Sequence, residues 1–164
     1  MKKFVFSLAI IFSLFLCNLN LNAQDANANF AGVWTINAAQ STQGNGNFRG
    51  AKQLTVTQEG INLSVTRLRT GNDRTDNTSI SKFTLDGKES VNTTERGSSK
   101  SVATWSADGK TLTILTSRSM NFNGSVTEMK SSEVWSMIGA TLTITSVSQS
   151  PNGERKVTLV YDKK

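Results

Sequence analysis

Apolar and polar residues alternate with a period of two along most of the chain. The clearest runs are QLTVTQ, INLSVTRL, TLTILTS, TLTITSV and KVTLVYD, in which serine or threonine fills most places between the apolar residues. Such alternation is typical of antiparallel strands that bury one face and expose the other to water. No segment of similar length has an apolar stripe at helical spacing. The pattern therefore predicts an all-β fold.

Short polar turns separate the strand-like runs. In most of these turns a glycine, which tolerates the positive φ of tight hairpins, follows a polar residue: Glu59-Gly60, Asp86-Gly87, Asp108-Gly109, Asn123-Gly124 and Asn152-Gly153. The turns divide the chain into about ten strands, near residues 30–37, 51–58, 61–69, 78–85, 88–95, 100–106, 110–118, 125–137, 140–148 and 155–162. We expect a single antiparallel up-and-down meander that closes into a barrel, because closure removes its two exposed edges.

The N-terminus has the pattern of a secretory signal peptide. Lys2 and Lys3 precede an apolar run over residues 4–17 that is short for a bilayer span, and the small Ala23 marks a cleavage site. We therefore expect a cleaved signal over residues 1–23, a short tail over 24–29 and a barrel domain over 30–164. The alternatives are an N-terminal membrane anchor and lipidation of Cys17, which the bulky residues before it disfavour.

An exported chain of this kind is expected in the periplasm or the medium of a Gram-negative bacterium. A membrane-inserted barrel is disfavoured, because the strands lack the aromatic girdle needed at a lipid boundary. Removing the signal leaves 16 basic against 12 acidic residues and lowers the formal net charge from +6 to +4. The basic residues are scattered and no basic run with stacking aromatics stands out, so we expect no nucleic-acid partner and no stable membrane insertion.

Candidate catalytic and metal-binding groups are scarce. The chain has no histidine, and its single cysteine is removed with the signal, so two common bases or nucleophiles and the usual zinc ligands are missing. The loop of residues 71–77 offers Asp73, Asp76 and Asn77 as candidate calcium ligands but lacks the bidentate glutamate of a full calcium loop, which favours a solvated turn. We expect a non-enzymatic protein with no cofactor and no metal.

The first strand reads FAGVWTIN and contains a GxW motif, Gly32-Val33-Trp34, while the chain ends in LVYDKK. A GxW motif at the head of an antiparallel meander resembles the calycin group of lipocalins, fatty-acid-binding proteins and avidin-like barrels. The nearest resemblance is to secreted bacterial proteins with a lipocalin-like domain. It implies that Trp34 plugs the closed end of the barrel, beside Gly32, and that a basic residue of the last strand, Arg155 or Lys156, covers its ring.

Two departures from fatty-acid-binding proteins limit that resemblance. Residues 38–50 carry no pattern of the helical pair that those proteins place between their first two strands. Leu159 stands where they have an arginine that holds a carboxylate. A fatty-acid ligand therefore does not follow from the resemblance.

Arg67 and Arg69 are the candidate anion-binding residues. They continue the parity of Leu63 and Val65, so a regular strand would point both guanidinium groups inward as a clamp for an acidic head group. A bulge near Leu68 would turn them out to solvent instead, and this is the interpretation that we favour.

Three aromatic residues complete the candidate ligand site: Phe83, Trp105 and Trp135. Phe83 is out of step with Ile80, which predicts a second bulge within residues 80–85. Trp135 shares a strand face with Glu133, and Val134 lies on the other face. Parity alone leaves open which of these faces points inward, and inward aromatics either line a pocket or fill the barrel.

The sequence therefore predicts an exported, non-enzymatic lipocalin-like barrel that binds a small apolar or amphipathic ligand. The alternative is an interaction module with a filled barrel, such as a protease inhibitor or an adhesive domain. Its protein partner would be contacted through the Gly- and Asn-rich loop of residues 38–50.

Overall fold

The structure is a computed structural model that describes residues 27–42, 50–71, 74–94, 97–122, 125–150 and 153–164. The predicted signal peptide, most of the loop 38–50 and Asp73 lie outside the described residues. Within them the chain forms ten β-strands and no helix: β1 Gly32–Ile36, β2 Gln53–Glu59, β3 Asn62–Thr70, β4 Asp76–Thr84, β5 Glu89–Thr94, β6 Gly97–Trp105, β7 Thr111–Phe122, β8 Ser125–Ile138, β9 Thr141–Ser150 and β10 Gly153–Lys163. No helical segment in this part of the chain has the length and hydropathy of a membrane span.

All ten strands belong to one antiparallel sheet that curls into a nearly closed barrel. Their order in the sheet is β4-β3-β2-β1-β10-β9-β8-β7-β6-β5. The first and last strands meet, because β1 pairs with β10, with Trp34 opposite Lys163. The predicted all-β meander of ten strands is confirmed.

The barrel is completed between β4 and β5 by side chains, because these two strands share no backbone ladder. The Lys82 N–H donates to Asn92 Oδ1 at 2.8 Å, and Asn92 Nδ2 donates to the Lys82 carbonyl at 2.9 Å. The Thr84 N–H donates to Ser90 Oγ at 2.8 Å. Polar side chains of β5 thus take the place of backbone partners, and we call this contact the seam.

Neither predicted bulge is present. β3 pairs without interruption with β2 and β4, with Arg67 opposite Leu54 and Arg69 opposite Asn77, so both arginines keep the inward parity of the strand. β4 is equally regular: Phe83 points inward and is 7% exposed, whereas Ile80 points outward and is 58% exposed. The bulge was predicted because Ile80 is apolar although it lies on the outer face of the edge strand β4.

Aromatic side chains fill one end of the barrel and form what we call the plug: Phe30, Trp34, Trp105 and Trp135. The Phe30 ring stacks on Trp105 and meets Trp135 edge-on, each at 5.7 Å between ring centroids. Trp34 Nε1 donates to the Phe30 carbonyl at 2.9 Å. Phe30, Trp34 and Trp135 are fully buried, so this end of the barrel is solid.

The basic residue that covers Trp34 is Lys163, which corrects the prediction of Arg155 or Lys156. Its Nζ lies 5.3 Å from the centre of the Trp34 ring. Arg155 lies eight residues earlier on β10, about 26 Å away along the strand. The Lys163 side chain passes so close to Gly32 that an added Cβ there would lie 3.0 Å from its Cε, and Gly32 has a φ of +144° that favours glycine.

Candidate functional site

The barrel is hollow beyond the plug. It holds two adjoining cavities of about 170 and 420 Å³, and Arg67, Arg69 and Glu133 line both of them. The larger volume lies within the range of small-molecule pockets. The three charged residues therefore mark the centre of a candidate ligand-binding site.

Arg67 is anchored across the barrel. Its Nη2 lies 2.9 Å from Glu133 Oε2, which joins β3 to β8. The same carboxylate oxygen accepts a hydrogen bond from Trp135 Nε1 at 3.0 Å. Arg67 Nη1 also donates to Ser81 Oγ at 3.4 Å. Because Arg67 is buried and its charge is balanced by Glu133, this pair fixes the geometry of the interior.

Arg69 lies beside this pair without a carboxylate partner among the described residues. Its Nη1 donates to the neutral Ser79 Oγ at 3.0 Å. Burial, and next to it the charge of Arg67, lower the pKa of Arg69, but a guanidinium group stays protonated in proteins. The centre of the cavity therefore carries an excess positive charge.

Tyr161 brings a neutral phenol to the same centre. The residue is 1% exposed and lines the smaller cavity beside Arg67 and Arg69. Burial raises the pKa of Tyr161 to about 12, although the nearby arginine charges oppose the shift. Its hydroxyl therefore remains protonated near neutral pH and can donate a hydrogen bond.

The two cavities differ in the chemistry of their walls. The smaller one, which we call the apolar arm, is lined on β2, β9 and β10 mainly by Leu54, Ile144, Val157 and Leu159, with Ser146, Ser148 and Arg155. The larger one, the polar arm, spans β3 to β8 and is lined by these hydroxyl and amide side chains: Asn77, Ser79, Ser81, Asn92, Thr94, Ser98, Ser99, Ser101, Thr116 and Ser131. The exposed Arg118 also lines it. The site thus has an apolar side, a polar side and a cationic centre.

The structure brings together only some of the residues predicted for the site. Arg67, Arg69 and Phe83 line the cavities, whereas Trp105 and Trp135 belong to the plug. Arg155 lines the apolar arm and does not cover Trp34. The sequence-based prediction did not select Tyr161 or assign a role to Glu133, although Glu133 shares a strand face with Trp135, and this is the one signal that could have indicated it.

The described residues contain no group of three or more metal-ligating side chains. Asp76, in the loop considered for calcium, instead pairs with Lys52 and accepts a hydrogen bond from Thr70. The hydrogen bond from Lys52 is the main reason that the pKa of Asp76 is lowered. Its carboxylate is thus engaged by a lysine on the outside of the barrel.

Comparisons with known proteins bear on the fold. No protein-family model matches the chain, and no curated protein matches it. Among solved structures, the chain is similar to a zebrafish ileal bile acid-binding protein complexed with cholic acid, with a TM-score of 0.51 and 18% sequence identity. The similarity covers 84% of this chain and 100% of the zebrafish chain. It shows that the two chains share a β-barrel fold.

Proposed function

We propose that this chain is an exported, non-enzymatic binding protein that holds one small amphipathic anion inside its barrel. The observation that carries the proposal is the pair of adjoining cavities, one with apolar and one with polar walls. They meet at Arg69, which has no carboxylate partner among the described residues. A ligand with an apolar part and an acidic group fits both walls and the charge.

The charge of the interior favours an anion. Glu133 balances Arg67, but Arg69 and Arg118 also line the cavities, and no second acidic side chain is found among the described residues that line them. Charge-assisted hydrogen bonds from guanidinium groups to carboxylate, sulfate or phosphate are strong in a partly buried site. The cation lies on β3, whereas the position implied by fatty-acid-binding proteins is occupied by Leu159 on β10.

Binding without catalysis agrees with the residues at hand. Among the described residues, the cavity linings hold no imidazole or thiol, and the one carboxylate there is engaged by Arg67 and Trp135. The zebrafish protein with a similar fold is named for binding bile acids, which are small amphipathic anions. The hollow interior disfavours the alternative of a filled interaction module, and residues 43–49 of the loop proposed for a protein partner lie outside the described residues.

Export is the second part of the proposal. It rests on the signal-peptide pattern of residues 1–23. A periplasmic or secreted binding protein would meet its ligand outside the cytoplasm and hold its apolar part away from water.

Calorimetric titration of the chain from residue 24 onward tests the binding proposal, with decanoate and decyltrimethylammonium as probes of equal alkyl length and opposite charge. We expect decanoate to bind at least about tenfold more tightly, a difference that one charge-assisted hydrogen bond can supply. Arg69→Gln should remove this preference, whereas Arg74→Gln, at an exposed turn, should keep it. Equal binding of the two probes, or tighter binding of decyltrimethylammonium, would contradict the proposal.

A further inference from the structure

The polar arm is unusual for a cavity that receives an alkyl chain. Its inward-facing positions on β4, β5, β6 and β8 carry short hydrogen-bonding groups, among them Ser79, Ser81, Asn92, Ser99, Ser101 and Ser131. Phe83 and Ile114 are its main buried apolar contacts. An alkyl chain lying there would displace water from these groups and could not replace the hydrogen bonds that the water makes to them, which is unfavourable.

Some of these hydroxyl groups already have partners within the protein. Ser101 and Thr116 are hydrogen-bonded to each other at 2.9 Å, and Ser79 and Ser81 accept hydrogen bonds from Arg69 and Arg67. They shape the wall and orient the guanidinium groups. The groups that remain for a ligand are therefore fewer than the lining implies.

Ser131 and Ser146 are two such groups. Both line the cavities, and neither makes a hydrogen bond to any part of the chain that the structure describes. Ser131 lies two residues before Glu133 on β8, and Ser146 is the register partner of Glu133 on β9. One lines the polar arm and the other lines the apolar arm, and both lie beside Glu133 on the wall formed by β8 and β9.

The polar groups also surround the cavity, since they come from consecutive strands on both sides of the seam. A ligand that bonds to Ser131 and Ser146, the two groups that lack a partner in the described chain, must present a hydrogen-bonding group to each of them and an acidic group near Arg69. We infer that the ligand is a sugar-acid amphiphile, an anion whose hydroxylated ring occupies the polar arm while its apolar part enters the apolar arm. This inference rests on the proposed function and narrows its ligand class.

Four probes separate the contributions of charge and hydroxyl groups in calorimetric titrations of the chain from residue 24 onward. Octyl glucuronide has both features, octyl glucoside lacks the charge, decanoate lacks the ring hydroxyls, and cholate carries its hydroxyls on one face of a rigid skeleton. We expect octyl glucuronide to bind at least about tenfold more tightly than each of the others, the difference that one or two hydrogen bonds to the ligand can supply.

Matched variants locate the effect. Ser131→Ala combined with Ser146→Ala should weaken octyl glucuronide about tenfold and leave decanoate unchanged, because only the sugar acid uses these hydroxyls. Ser132→Ala is the control, because this neighbour on β8 lies on the outer face in register with Leu115. Urea unfolding of each variant shows whether the barrel is intact.

Each outcome has one meaning. Binding of octyl glucuronide with the expected ranking and its loss in the double variant support the inference. Equal or tighter binding of decanoate or cholate overturns the inference and leaves the proposed binding function in place, because both are amphipathic anions. Equal or tighter binding of the uncharged octyl glucoside overturns the inference and also contradicts the proposed preference for an anion. A preference for octyl glucuronide that the double variant retains also overturns it. Failure of all four probes to bind contradicts the proposed function itself.

Discussion

Single residues at the closed end of the barrel explain the GxW motif. Trp34 is fully buried and its ring lies under the Lys163 ammonium, while Gly32 leaves space for the Lys163 side chain. Each member of this group depends on the other two: a larger residue at position 32 would displace the lysine, and the lysine shields the ring. The motif therefore serves packing at the closed end of the barrel, and neither Gly32 nor Trp34 is among the described residues that line the two cavities.

Trp34→Ala should lower the free energy of unfolding by about 3 to 5 kcal/mol, because it opens a large cavity in the plug. Urea denaturation monitored by circular dichroism measures the change. Lys163→Met keeps most of the packing and removes the charge, so it should cost about 1 kcal/mol or less. A loss below about 1 kcal/mol for Trp34→Ala would show that the plug does not depend on this ring.

The raised pKa of Tyr161 predicts that the free energy of unfolding falls at alkaline pH. Its pKa rises from the ordinary value of 10 to about 12 in the folded chain, so folding disfavours its ionised form. The protonated phenol makes its full contribution to the free energy of unfolding below pH 10. This contribution is lost as the pH rises toward 12, and the total loss is about 2 to 3 kcal/mol.

The measurement compares the wild type with Tyr161→Phe, which removes this titration and leaves the lysines unchanged. We expect the free energy of unfolding of the wild type to fall more steeply than that of the variant from about pH 9.5 upward. Parallel curves would contradict a raised pKa for this phenol.

At the scale of the strands, the barrel is held by two kinds of contact. Nine neighbouring strand pairs share a backbone ladder, whereas β4 and β5 are joined by the side chains of Asn92 and Ser90. The Asn92 amide imitates a peptide group, because it donates to and accepts from the same residue, Lys82. Side-chain amides cost conformational entropy to hold in place, so the seam is the weakest contact in the barrel.

Asn92→Ala should open the seam locally. It removes two hydrogen bonds that are exposed to solvent, so the free energy of unfolding should fall by only about 1 kcal/mol. Hydrogen exchange of the Lys82 amide should accelerate more than that of amides in β7 or β8. Thr93→Ala, on the outer face of the same strand, serves as the control, and equal protection of Lys82 in both variants would show that Asn92 does not close the barrel.

The strands could be predicted from the sequence because two local signals agree. Alternation with a period of two and glycine at the turns each depend on neighbouring residues only, and both indicated the same ten strands. The strand parity of Arg67 and Arg69 also indicated their inward position. The bulge proposed near Leu68 was wrong, because a polar residue inside a barrel needs no irregular backbone when a partner such as Glu133 faces it.

The site was harder to predict because it depends on register and on contacts across the barrel. The position of Lys163 over Trp34 follows from the pairing of the two ends of the chain, which no local pattern gives. The pair Arg67–Glu133 joins strands that are distant in the sequence. The polar arm is equally non-local: its serines looked like the outer face of a strand, since the same residues serve wet surfaces and polar cavities.

At the scale of the whole molecule, the signal-peptide pattern of residues 1–23 predicts that the chain is cleaved after export. When the full chain is expressed in a Gram-negative host, the mature protein should begin at Gln24 and be recovered from the periplasm or the medium. Intact mass and N-terminal sequencing measure this. Replacing Ala23 with a bulky residue such as Phe should prevent cleavage there, and an unprocessed wild-type chain would contradict the prediction.

The pairing of β1 with β10 has a consequence for how the chain can be cut and rejoined. The first and last strands are neighbours, and β4 and β5 lie at the sheet edges. Read from β5, the order of strands across the sheet is therefore the order along the chain, except that β1 follows β10. A circular permutant of residues 24–164 that begins at Lys88, joins Lys164 to Gln24 through a short glycine-serine linker and stops at Gly87 would follow the sheet from one edge to the other. It interrupts no backbone ladder, so it should fold with a circular dichroism spectrum like that of the wild type.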